Sequence, residues 1–191
     1  PTRRSSDLID QLAMLRAIPN LKVIRPADTR EVSAAWVTAM TSTDAPVALV
    51  LTRQNLPELA GSSKEALKGA YVISKEHTKA ELVLIATGSE VSLMVDAQKA
   101  LLDKGIDSRV VSMPCQELYD VQSTEYKDSV ILKGVPKLAA EAASTFGWHK
   151  YACDVIGHDD FGLSAPANEL FDAFGFTVEN VVNRAMKLLK K

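Results

Sequence analysis

Residues 81–113, ELVLIATGSEVSLMVDAQKALLDKGIDSRVVSM, decide the fold class. Leu82, Val83, Leu84, Ile85 and Ala86 form a continuous apolar run too short for a free-standing helix. The run closes at Thr87-Gly88, which predicts a strand buried on both faces. Ser89 stands where a helix cap is needed, its side chain able to accept from orphan backbone N–H groups, and Glu90 suits the positive end of the helix dipole. Val91, Met94, Val95, Leu101 and Leu102 recur at helical spacing and make one apolar face. Gly105 closes the helix, and residues 109–113 predict a second strand. A strand, a crossover helix and a strand in this order form a right-handed parallel unit almost without exception. The chain therefore reads as an α/β protein with a parallel or mixed sheet.

The 191 residues, 47% of them hydrophobic, suffice for one domain and part of another or for two small ones. A formal charge of −2 supplies no basic field for nucleic acid and no polybasic patch for a lipid surface, so neither partner is expected. No apolar run approaches the roughly 20 residues that span a bilayer, and PTRRSSD at residues 1–7 lacks the apolar segment of a signal peptide. A cytoplasmic protein is expected. Cys115 and Cys153 are too few and too far apart for a disulfide scaffold and read as reduced thiols.

Upstream of the central unit, Leu8, Leu12 and Leu15 predict a helix over 8–18, stopped by Pro19-Asn20, and a short strand follows over 21–24. Asp28 precedes Glu31 by three residues, the spacing of a capping box. The helix so begun is expected to bury Val32, Ala35, Trp36 and Ala39. Pro46 opens an apolar strand over 47–51 that empties into Thr52-Arg53-Gln54-Asn55-Leu56-Pro57. Two short strands and two helices leave open sheet edges and too little apolar area to balance chain entropy. This first block reads as the tail of a larger domain, whose apolar faces otherwise require another chain. Residues 61–69 read as a linker and 70–74 as an edge strand.

Downstream, the stretch after Pro114 predicts two short helices around Ser123-Thr124. Residues 137–143 fit a strand or a helix by composition, and periodicity does not choose between them. Residues 146–162 read as an irregular loop enclosing a short strand at Val155-Ile156. Pro166 suits the first turn of a helix ending at Gly175. Thr177 caps a last helix whose Val178, Val181, Val182, Ala185 and Leu189 face inward.

Arg53 is the sharpest candidate for chemistry. In open α/β sheets ligands gather beyond the carboxyl ends of the strands, and Arg53 lies just past one, where a guanidinium can hold a phosphate or carboxylate with two bonds. The competing reading is a solvated or structurally paired arginine. ATGSE offers a helix N-terminus after a glycine turn, but without a three-glycine fingerprint or a P-loop lysine a plain cap is the better reading. His149, Cys153, His158, Asp159 and Asp160 make a metal-like cluster whose spacings match no zinc pattern, so a structural loop is expected instead. Cys115 has no sequence-local base to make it a nucleophile, and His77 lies in a charged turn.

Seven motifs stand in an order that resembles the transketolases: RPAD-x-x-E-x-x-AAW at 25–36, LTRQNLP at 51–57, GAYVIS at 69–74, LIATGSEVSL at 84–93, RVVSMP at 109–114, FGWHKY at 146–151, and FG-x-SAPA at 161–167 followed by FGFTVENVV at 174–182. The resemblance implies that residues 1–63 are the incomplete end of an α/β pyrimidine-binding domain and that 64–191 are a C-terminal domain of three-layer αβα build with a parallel or mixed sheet. It also implies an activity: moving a two-carbon ketol unit from a ketose phosphate to an aldose phosphate in the pentose phosphate pathway, by a homodimer carrying thiamine diphosphate and Mg2+ or Ca2+. That cofactor acts as the electron sink for the carbanion. The arginine of the LTRQNLP motif falls on Arg53 and is implied to bind the substrate phosphate.

No catalytic residue, cofactor ligand or metal ligand is assigned within the chain. A Gly-Asp-Gly diphosphate motif is absent from it, and Pro1-Thr2 is followed by Arg3-Arg4-Ser5-Ser6-Asp7 where the resemblance implies a substrate histidine. The polypeptide alone is therefore expected to be inactive. Two other readings are weighed: a non-catalytic dimerisation or binding module of the same fold, and a part of another thiamine enzyme, such as a deoxyxylulose phosphate synthase or a pyruvate dehydrogenase β subunit. LTRQNLP and FGFTVENVV favour transketolase over both enzymes.

Overall fold

The computed structural model describes residues 10–190. Leu8 and the divergent residues 1–7 lie outside them. The first block contains α1 (Gln11–Arg16), β1 (Lys22–Ile24), α2 (Thr29–Thr41) and β2 (Val47–Leu49). β1 and β2 pair in parallel, Lys22 opposite Val47 and Ile24 opposite Leu49, and form a sheet of only two strands. The capping box at the start of α2 is present: Asp28 Oδ1 accepts from Glu31 N–H at 3.0 Å, while Glu31 Oε2 accepts from Ala27 N–H at 2.8 Å.

The second block carries β3 (Tyr71–Ser74), β4 (Leu82–Ala86), α3 (Glu90–Asp103), β5 (Ser108–Ser112), α4 (Gln116–Asp120), α5 (Thr124–Val130), β6 (Lys137–Ala140), β7 (Asp154–Ile156), α6 (Ala167–Ala173) and α7 (Val178–Leu189). Its sheet runs β3-β5-β4-β6-β7, parallel throughout except for the antiparallel edge strand β3. Alternate side chains divide the core into two layers, as a pleated strand buried on both faces demands. Leu82, Leu84 and Ala86 of β4 pack with Val91, Met94 and Leu101 of α3 and Val181 and Ala185 of α7. Val83 and Ile85 point the other way, onto Tyr119, Val130, Trp148 and Tyr151. The result is the expected three-layer αβα domain.

The choice left open over 137–143 falls to a strand: residues 137–140 are β6, laddered to β4 on one side and β7 on the other. Several local expectations are corrected. The stretch 61–69 contains a 3-10 helix, Lys64–Lys68, capped by the Ser63 side chain. Ser89 does not cap α3 through its side chain; its hydroxyl turns to Glu90 Oε1 at 2.5 Å. Trp36 is 52% exposed rather than buried. The inward stripe of α2 is Glu31, Ala34 and Ala35, anchored by a buried carboxylate that a purely apolar reading assigns to the outside.

The first block has no separate core. Leu12 and Val23 cluster with Ala143, and Ile24 and Ala35 with Cys115, residues of the second block. Part of the apolar surface expected to need another chain is thus covered by this one. Trp36, Val37 and Met40 remain exposed on α2.

Gly69 marks the junction between the 3-10 helix and β3. Its φ of +89° lies in a region that side chains rarely adopt, and an added Cβ would stand 2.2 Å from Tyr119 N and 2.4 Å from Cys115 O. Gly69→Ala is expected to destabilise the chain by at least ~2 kcal/mol, read as a lower urea midpoint with an unchanged slope.

Candidate functional site

β1 and β2 deliver their carboxyl ends to the same edge of the small sheet. Val50 N–H donates to Ile24 O at 2.9 Å, so Arg25-Pro26 and Leu51-Thr52-Arg53 leave the ladder side by side. Thr52 Oγ1 accepts from Gln54 N–H at 3.1 Å and turns the loop outward. Arg53 is exposed and lines a cavity of about 420 Å³ with Thr52, Gln54, Ala165, Ala167, Leu170 and Phe171. Two further hollows, about 350 and 500 Å³, flank the same loop, and both include Leu51 and Thr52.

The state of the Arg53 guanidinium separates it from its peers. Arg16 is held by Glu141, Arg25 by Glu90, Arg109 by Glu76 and Arg184 by Asp154, and Arg30 donates to the carbonyls of Leu59 and Ser62. Among the described residues, Arg53 alone of the arginines has neither a hydrogen bond nor an ion pair. A guanidinium kept unpaired at a concave strand end is available for a bidentate oxyanion contact.

Behind the loop lies a seam of buried polar groups joining the two blocks. Glu141, fully buried at the end of β6, accepts from Arg16 Nη1 at 2.6 Å and Nη2 at 2.8 Å and from Trp148 Nε1 at 2.7 Å. The Arg16 guanidinium also lies 5.8 Å from the centre of the Trp148 ring. Glu90, equally buried, pairs with Arg25, whose Nη1 also donates to Thr87 O at 2.8 Å. Burial alone would raise the Glu141 carboxyl, but the bonds from Arg16, the charges of Arg16 and Arg25, and the Trp148 donor together hold it below its ordinary value. Glu31 has no such cation. Burial pushes it up, against the hydrogen bonds it accepts from Ser112 Oγ, Ala27 N–H and Tyr71 OH.

The other candidates resolve into structure. Asp159 accepts from Ser144 Oγ, Thr145 N–H and Thr145 Oγ1 and ties one loop to another. His158 stacks on Phe174 at 3.9 Å and bonds Phe161 O through Nε2. Among the described residues no three His, Cys, Asp or Glu side chains are grouped to hold a metal ion. Burial, reinforced by Glu117, pushes the Cys115 thiol up to about 12, against a nucleophilic role. Of the described helices, none is long and apolar enough to cross a membrane.

Sequence reasoning missed the seam, because Arg16, Arg25, Glu90 and Glu141 are scattered in sequence. The only local hint was the unusual placement of Glu90 and Glu141 beside buried strand ends.

Comparison with known proteins agrees with this architecture. Residues 69–177 match the model of the transketolase-like C-terminal domain, and residues 5–58 match that of the transketolase pyrimidine-binding domain. The transketolase of Bacillus subtilis is 51% identical over 192 residues, covering 96% of this chain and 29% of its own length. A Pichia stipitis transketolase crystallised with sedoheptulose-7-phosphate superposes with a TM-score of 0.92 at 51% identity, over 95% of this chain and 27% of that one. A split-gene transketolase, an inactive β4 tetramer, superposes with a TM-score of 0.72 at 25% identity, over 95% of this chain and 62% of that one. The chain belongs to the transketolase family. It spans little more than a quarter of the length of the curated relatives it matches.

Two of the seam carboxylates titrate with opposite sign. Glu141 lies below its ordinary value of 4.5, so its contribution is complete above that pH and is lost as pH falls through the lowered value. Glu31 lies above 4.5, so its contribution is complete below that pH and is lost as pH rises through the raised value. Glu141→Gln leaves two buried guanidiniums under-compensated and is expected to cost about 3 kcal/mol at neutral pH. The variant is also expected to flatten the acid limb of a stability–pH profile below 4.5, measured by urea unfolding at successive pH values.

Proposed function

We propose that this chain is the C-terminal part of a transketolase, and that in the complete enzyme it binds the phosphate of the sugar substrate through Arg53. The reaction of that enzyme is transfer of a two-carbon ketol unit from a ketose phosphate to an aldose phosphate. The observation that carries the reading is the unpaired Arg53 guanidinium at the carboxyl edge of β1 and β2, within a loop of the family's LTRQNLP sequence. In this reading residues 1–63 end the pyrimidine-binding domain and 64–191 form the C-terminal domain. The match to a transketolase crystallised with sedoheptulose-7-phosphate supports a phosphorylated sugar as the ligand.

Thiamine diphosphate and a divalent metal, Mg2+ or Ca2+, belong to the complete homodimer, which we place in the cytoplasm. The described residues offer no metal-binding group of carboxylates, imidazoles or thiols, so they do not fit the metal centre. No chemical step is assigned to them. The likeness to a split-gene transketolase chain that is inactive as a β4 tetramer supports a chain that is not catalytic alone. Titration of the isolated polypeptide with thiamine diphosphate in a calorimeter is expected to give no heat of micromolar binding.

In the complete enzyme, Arg53→Ala removes a charge-assisted bidentate contact worth roughly 1.5–3 kcal/mol. The specificity constant kcat/KM for a phosphorylated ketose donor is expected to fall by about tenfold to a hundredfold. For erythrulose, a ketose without phosphate, it is expected to change little. Equal losses for the two donors would remove Arg53 from the phosphate site.

A further inference from the structure

We infer that Glu90 is a positioning residue for phosphate recognition: through Arg25 it fixes the carboxyl end of β1, and thereby the take-off of the Arg53 loop. The inference rests on the assignment of Arg53 to the substrate phosphate and adds a role for the C-terminal domain in that site.

Arg25 is held from several sides, by the turn after β4 and by Pro114 just beyond β5. Its N–H donates to Pro114 O at 2.9 Å, and its carbonyl accepts from Gly88 N–H at 3.1 Å and Thr87 Oγ1 at 3.0 Å. Its guanidinium meets Glu90, Thr87 O and Ser89 Oγ, with Glu141 Oε1 at 3.8 Å. Glu90 is itself fixed by Ala142 N–H, which donates to Oε2 at 2.9 Å. The residue before Arg25 then accepts from Val50 N–H, the last ladder bond before the chain turns into the Arg53 loop. One cavity wall contains Arg25, Pro26, Leu51, Thr52, Gly88 and Ser89 together, so the loop base and the β4 turn share a surface.

Glu90 touches no candidate ligand position, and it is fully buried. Its influence on the loop is through geometry, and geometry is worth much in recognition: a displacement of about 1 Å in a bidentate contact costs up to two orders of magnitude. Another part of the seam, Glu31 with Tyr71 and Ser112, attaches α2 rather than the end of β1, and supplies an internal control.

The test uses the complete enzyme with two donors, sedoheptulose 7-phosphate and erythrulose. Glu90→Gln is expected to raise KM for the phosphorylated donor by about an order of magnitude, with kcat and the erythrulose KM nearly unchanged. In the Arg53→Ala background the same change is expected to add no further loss for the phosphorylated donor, because the two act on one contact. Glu31→Gln serves as a comparison: it should lower thermal stability without splitting the two donors. If Glu90→Gln does not fold, Arg25→Lys, which keeps the charge and loses the fork, tests the same link. Equal effects on both donors, or full additivity with Arg53→Ala, would overturn the inference while leaving Arg53 in its role. An Arg53→Ala enzyme that does not discriminate between the donors would instead overturn the phosphate assignment itself.

Discussion

The structure depends on the burial of carboxylates at the seam between its two blocks. A two-stranded sheet with helices on it is marginal alone, and it reaches the main apolar core only through Ala27, Ala34 and Leu59. Glu141 and Glu90 change this, because a carboxylate removed from water must find its counter-charge, take up a proton or unfold the region around it. The counter-charges lie on the other block. Each block therefore presents groups that only the other can satisfy. Hydrophobic contact alone would allow sliding, whereas the forked Arg16 guanidinium on Glu141 and the Arg25 guanidinium on Glu90 define one register.

The same economy of charge distinguishes the site. An arginine on a protein surface usually finds a carboxylate or carbonyl within reach, and every other described arginine here does so. Arg53 is kept apart from acidic neighbours by a loop of Thr52, Gln54 and Asn55, side chains that shape the backbone and bring no charge. The guanidinium is thus left open to an oxyanion. The apolar wall formed by Leu170 and Phe171 contributes shape without competing for the cation.

The αβα domain was legible from sequence because its signals are local: the all-apolar β4, the period of α3, the glycine after it, and the Thr177 cap of α7, whose hydroxyl accepts from Asn180 N–H as the spacing implied. Arg53 was legible as a position, one step beyond an apolar strand, but whether it was paired was not, since a partner can come from anywhere in the chain. Residues 137–140 were ambiguous because a central strand of Lys, Leu and two Ala carries no alternation, and only its neighbours in the ladder decide its state. Trp36 misled for a related reason. A helix stripe counted by hydrophobicity cannot include Glu31, yet Glu31 is the residue that sets which side of α2 faces inward. Beyond the placement of Glu90 and Glu141 beside buried strand ends, the seam had no sequence signature, because it is made of single charged residues drawn from distant elements.

Glu31 carries a consequence for exchange of parts between relatives. Its carboxylate lies in the first block, yet the hydroxyls of Tyr71 and Ser112 that satisfy it lie in the second, as Glu141 in the second block satisfies Arg16 in the first. Each half thus carries the other's missing hydrogen-bond partners. A chimera cut between the halves keeps these bonds only where both parents carry the same groups, so the transferable piece in this protein is the matched set of donors and acceptors along the boundary.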